Sequence, residues 1–181
     1  MPVSAERLRQ IRELSNDERV DHIDTSDFTE VDWERYGEEL DAETLAFCRD
    51  TADAEELHAF ASTYNWDKGT WALEALLQNP VCEAATALFI YWHAAPEYYR
   101  QFVDRDAVPE FQREDFDFIM SIESRYVAGQ FPRGVLWYDP SNPDDNDGPS
   151  LVGVYDQYGY PVVRTLPAVM YEAVEPKHLG D

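Results

Sequence analysis

Histidine, cysteine and carboxylate side chains are the groups of this chain with the chemistry to catalyse a reaction or hold a metal. His22, His58, His93 and His178 lie far apart, and none belongs to an HExxH helix. Cys48 and Cys82 form no CxxC pair, and neither a GxSxG elbow nor a glycine-rich phosphate loop occurs. Both cysteines stand in apolar helical contexts, where a reduced thiol behaves as a small hydrophobe. Asp144-Asp145-Asn146-Asp147-Gly148 resembles part of an oxygen-rich calcium loop, but the alternating ligands and terminal Glu of an EF-hand are missing. It reads as a solvated turn. Acid–base chemistry between two carboxylates needs one of them in an apolar setting that raises its pKa. Asp67, beside Trp66 and between two aromatic-rich segments, is the acid in such a place. Its simpler role is to start the following helix together with Asn65. The expectation is therefore no catalytic residue, no metal and no cofactor. A deep pocket joining Asp67, Trp66 and His58 would point instead to an enzyme.

Charge is the strongest bulk signal. The 181 residues carry a net charge of −23. Such a surface repels nucleic acid and anionic headgroups and attracts a basic protein. A protein partner is expected, and neither nucleic acid nor membrane. The acids concentrate between Asp17 and Glu43, where twelve carboxylates face only Arg19 and Arg35. Interleaved aromatics supply anchors. The candidate contact residues are Asp24, Asp27, Glu30, Asp32, Trp33, Glu34, Tyr36, Glu38 and Glu39, with Asp144, Asp145 and Asp147 on the later loop. A solvated face, adapted to high salt or to a GC-rich genome, is the plainer account of the same acids. No apolar run has membrane-spanning length and no signal-like segment opens the chain, so a cytoplasmic protein is expected.

The elements that position these residues centre on Leu57–Tyr99. Ser4 caps a short amphipathic helix with Leu8, Ile11 and Leu14 inward. The acidic segment reads as loop or short irregular helices. A helix follows from Asp41, and another from Asp53, where Asp53-Ala-Glu-Glu56 has capping-box spacing. Asn65-Trp66-Asp67-Lys68-Gly69 breaks that helix, and Thr70–Gln78 forms the next. Asn79-Pro80 caps a helix from Pro80 to Ala95 that is apolar on nearly every face, so it is buried. Phe111–Val127 is a further amphipathic helix with Phe111, Phe118, Ile119, Ile122 and Tyr126 inward. Val135–Tyr138, Leu151–Tyr155 and Tyr160–Thr165 read as strands, the last two joined as a hairpin across Asp156–Gly159. The fold class expected is α+β: mainly helix pairs, as an irregular bundle or short α-solenoid-like array, with a small C-terminal antiparallel β element. One domain spans residues 1–181, with an acidic segment 1–40, a helical core 41–130 and a β-rich part 131–181.

Leu57-His58, Tyr64-Asn65-Trp66-Asp67-x-Gly69, Asn79-Pro80-x-Cys82 and Ala85-Thr86-Ala87-Leu88 together resemble an uncharacterised bacterial family, number 4274 among the domains of unknown function. Lys68 and Glu83 depart from the family pattern, which has Asp at both places. The resemblance covers about a quarter of the chain. It implies a structural role for Tyr64, Asn65, Trp66, Asp67, Gly69, Asn79, Pro80, Cys82 and Thr86, and it brings no catalytic residue. Members resemble small cytosolic proteins that accompany bacterial toxin systems, which suits an immunity role. The reading is a non-enzymatic acidic binding protein, an immunity protein that occludes the basic cleft of its cognate toxin. The alternatives are a helical protein-interaction scaffold and an uncharacterised enzyme.

Overall fold

Local capping decides where the first helices begin. The computed structural model describes residues 3–146 and 150–177, and six α-helices and eight short 3-10 helices form its regular structure. The chain divides into two compact units, Met1–Cys82 and Glu83–Asp181, a division that falls inside the expected helical core.

In the first unit, α1 (Ala5–Ser15) starts at Ser4, whose hydroxyl accepts the Arg7 N–H at 3.2 Å. α2 (Glu30–Asp50) begins well before the expected start at Asp41. Thr29 and Asp32 form a reciprocal capping box: the Thr29 hydroxyl accepts the Asp32 N–H, and the Asp32 carboxylate accepts the Thr29 N–H. The second half of the acidic segment is thus regular helix rather than loop. α3 (Ala54–Ser62) is capped by Asp53, which accepts the N–H groups of Glu55 and Glu56. The Glu56 carboxylate grips the Arg7 guanidinium at 2.8 and 2.6 Å instead of reaching back to the cap. α4 (Trp71–Gln78) packs against α2, and α1 packs against α3. Cys48, Leu57, Phe60, Leu73 and Leu76 form the dry centre.

Asn79 is a buried tie rather than an N-cap. A helix end leaves carbonyls without partners. The Asn79 amide nitrogen donates to the carbonyls of Cys48 (3.0 Å), Arg49 (3.0 Å) and Thr51 (2.8 Å), closing the end of α2. Its own oxygen accepts the Val81 N–H at 3.0 Å. The next helix therefore starts later than Pro80.

In the second unit, α5 (Ala84–His93) buries every residue from Ala84 to Trp92. α6 (Arg113–Val127) packs against it and buries Phe118, Ile119 and Ile122. Phe111 lies ahead of α6 in a 3-10 turn (Glu110–Gln112) and is exposed, against its inward expectation.

The expected C-terminal β element does not form. Among the described residues the extended runs make no strand, only one antiparallel bridge between Tyr138 and Val174. Their backbone donors go elsewhere. Val135 and Leu136 donate to the buried Glu83 carboxylate at 3.1 and 2.9 Å. Gly153 and Tyr155 donate to the buried Glu97 carboxylate at 3.0 and 3.4 Å. Val163 and Arg164 share the Arg100 carbonyl, each at 2.9 Å. Pro161 and Pro167 have no N–H to offer a ladder. The supposed hairpin turn is a 3-10 turn, Asp156–Tyr158. Gly134 lies so close to Glu83 that a Cβ there would collide with the carboxylate.

Three variants have expected outcomes on urea unfolding. Asn79→Ala loses about 1 to 3 kcal/mol of stability, the cost of unpaired buried carbonyls. Asn79→Asp loses more at pH 7, because a carboxylate then faces carbonyl oxygens. Burial and those oxygens raise its folded pKa, so stability returns as pH falls through that value and the acid regains a donor. Gly134→Ala destabilises by about 1 to 3 kcal/mol through overpacking, and the Val135 and Leu136 amides then exchange faster with solvent.

Candidate functional site

The first half of α2 sets acids and aromatics on one rigid element. Phe28 meets Trp33 edge-on at 5.0 Å, and Trp33 meets Tyr36 edge-on at 6.1 Å. Trp33 is 42% exposed, and Val31 beside it is also exposed. Asp24, Asp27, Glu30, Glu34, Glu38 and Glu39 are exposed; Asp32 and Tyr36 are half-buried. The cap bonds from Thr29 hold the Asp32 carboxyl below its ordinary range, and Asp32 also takes Arg35 at 2.9 Å. Ser26 bonds lower the Asp24 carboxyl in the same way. Burial raises the Tyr36 phenol, whose hydroxyl is buried without a hydrogen-bond partner among the described residues.

The later acidic loop belongs to the other unit. Asp144 is exposed, whereas Asp145 accepts the Trp137 indole N–H at 2.8 Å and the Asp139 N–H at 2.9 Å. Asp147 lies outside the described residues, as does His178.

The motif residues build a turn. The Asn65 side chain accepts the Asp67 N–H at 3.0 Å, and the Asn65 N–H donates to the Ser15 carbonyl at 2.9 Å, tying the turn to α1. Tyr64 is buried, donates to the Gly69 carbonyl at 3.0 Å and packs its ring near Trp66. Gly69 has φ +79°, where a side chain would be strained. Asp67 is exposed on this turn, and His58 is half-buried on α3. Thr70, not Asp67, holds the N-cap position of α4. Lys68, the departure from the family pattern, reaches Asp17 at 2.7 Å and lies over the Trp71 ring. Cys82 and Thr86 are buried.

Nucleophile chemistry finds no support at Cys48. Its thiol is buried, and that burial pushes its pKa up to about 12. His93 ring nitrogen Nδ1 lies 2.9 Å from the Phe89 carbonyl, and its ring stacks on Phe89. Among the described residues no group of three His, Cys, Asp or Glu side chains is placed to hold a metal. None of their helices is long and apolar enough to cross a membrane.

A cleft of about 160 Å³ in the second unit was not signalled by the sequence reading. Trp92, His93, Pro96, Glu97, Val154 and Tyr155 line it, with Ala95 in left-handed backbone at φ 57°. Its residues come from α5, the turn after it and the C-terminal coil, so no local pattern marks it.

Residues 52–127 match the family model DUF4274, a domain of unknown function. The match takes in the Leu57–Leu88 motifs and continues through α6 to Val127. No curated protein matches the chain, and no solved structure does. The acidic half of α2 and the C-terminal coil lie outside the matched residues.

Both cysteines are buried. A thiol-reactive dye at pH 8 should therefore leave the native protein unmodified and label both cysteines after unfolding. Labelling of native Cys48 faster than global unfolding would contradict that burial.

Proposed function

We propose that this chain is a non-enzymatic, cytoplasmic binding protein, and specifically an immunity protein that occludes the basic cleft of a bacterial toxin. The observation that carries the reading is the exposed Trp33 set among exposed carboxylates on the first half of α2. A capped helix presents charge at fixed spacing, so little ordering cost falls on association. Carboxylates at that spacing stand in for the phosphates of a nuclease substrate, and Trp33 supplies the aromatic anchor that such interfaces depend on. The net charge of −23 speeds encounter with a basic partner. The resemblance described above, which implies small proteins that accompany toxin systems, and the absence of a catalytic motif in the sequence motivate the same reading.

Co-expression decides it. The adjacent open reading frame should arrest growth alone and become harmless when this protein is present. Trp33→Ala should weaken the complex roughly 30-fold or more, the loss of a central aromatic anchor. Its association rate should fall steeply as salt rises. A harmless neighbour, or toxicity that persists beside this protein, would overturn the proposal.

A further inference from the structure

Four tyrosines of the second unit close a ring of contacts. Tyr98 lies 6.1 Å from Tyr155 and 5.5 Å from Tyr160; Tyr158 lies 5.8 Å from Tyr155 and 5.9 Å from Tyr160. Two of the four are open to solvent, Tyr158 at 59% and Tyr160 at 40%. Tyr155 also lines the 160 Å³ cleft, so ring and cleft are continuous. An apolar cavity of about 150 Å³ accommodates benzene. This cleft thus has room for one planar head group.

Its electrostatics select the sign of that group. Aromatic faces carry negative charge and attract cations. Glu97 lines the cleft and Asp156 stands on the Tyr155–Tyr158 turn with an exposed carboxylate. Arg100 lies 3.5 Å from Glu97 and 3.7 Å from Asp156, so two acids face one cation and one negative charge remains. Between guanidinium and ammonium, the apolar walls of Trp92, Pro96 and Val154 favour the planar, weakly hydrated guanidinium, which stacks on rings and loses less on leaving water.

We propose that the Tyr98–Tyr155–Tyr158–Tyr160 ring and the adjoining cleft receive an arginine side chain of a basic protein partner. The identity of the partner as a basic protein rests on the reading of this chain as an acidic binding protein. The capacity of the cleft for a guanidinium does not.

Capped arginine, N-acetyl-arginine methylamide, tests the cleft directly by NMR titration of the full chain. The expected result is saturable shifts at the Trp92 indole and at the Gly153 and Tyr155 amides. Capped citrulline, the neutral isostere, should bind at least about tenfold more weakly, because it lacks the charge that the rings attract. Tyr158→Leu and Tyr160→Leu remove exposed rings outside the core, and each should weaken the arginine two- to fivefold. No saturable shift, equal binding of citrulline, or shifts confined to α2 would overturn the proposal. With a partner in hand, unchanged affinity in the double leucine variant overturns the arginine contact while leaving the acidic-binding reading intact. Arginine bound in the cleft with no basic protein partner found would overturn that reading instead.

Discussion

α5 has no wet face. Its nine buried residues from Ala84 to Trp92 require cover on all sides, and each large apolar side chain kept from water contributes about 1.5 to 3 kcal/mol. α6 forms one wall. Much of the cover within this unit comes from coil and from the 3-10 turn Ala168–Tyr171. Tyr138 sets its ring edge-on to Phe89 at 5.4 Å, Tyr171 meets Trp92 at 5.2 Å, and the Trp92 indole donates to the Met170 carbonyl at 2.7 Å. Irregular chain laid on an apolar surface must still find partners for its own N–H groups. Glu83 and Glu97 supply them. A buried carboxylate is costly unless it is hydrogen-bonded, and each of these accepts two backbone N–H groups. The hydrophobic demand of one helix thus leads to two buried charges, and those charges decide the path of the C-terminal coil.

This dependence explains which parts of the fold could be read from the sequence. Helix starts at Ser4 and Asp53 were legible because a cap and its N–H partners lie within three residues. The start of α2 is equally local, at the Thr29–Asp32 box, but the dense acids on either side of it have the composition of a solvated loop. Asn79-Pro80 has the form of an N-cap, but the carbonyls that hold Asn79 lie 28 to 31 residues upstream. The strand expectation failed for the same reason. Val135–Tyr138 and Tyr160–Thr165 have β-forming residues, but a strand needs a partner edge, and their donors are captured by a side chain 52 residues away and by the Arg100 carbonyl. Propensity reports what a segment tolerates, and tertiary acceptors decide what it does.

The candidate sites divide in a similar way. The motif around Asn65 and Gly69 was legible because its turn chemistry is local. The meaning of Lys68 was not, since Asp17 is 51 residues away and joins the end of α1 to the motif turn only in three dimensions. Glu83 acts at a similar distance, its carboxylate reaching the Val135 and Leu136 amides. The tyrosine ring was invisible because Tyr98 comes from a segment far from Tyr155–Tyr160. The matched residues 52–127 include the Asn65–Gly69 turn and the buried helix α5. Exposed acids lie both inside and outside that range, whereas most of the exposed rings lie on the flanks.

The acids themselves are not equivalent. Asp17, Asp32, Glu56, Glu83, Glu97, Glu123 and Asp145 hold partners within the chain, so they serve the fold. Glu30, Glu34 and Glu38 differ. They recur every four residues along α2 and are exposed, which puts like charges on one face of the helix. Each such pair costs the helix a few tenths of a kcal/mol. The macrodipole offsets this only in the first turn, near Glu30, and the capping box secures that same end. Further along, repulsion between Glu34 and Glu38 has no such compensation from the helix. A basic surface laid along this face would relieve it and gain Coulomb attraction from the same carboxylates. Under the proposed reading, a cationic partner is what relieves the repulsion that this helix carries alone.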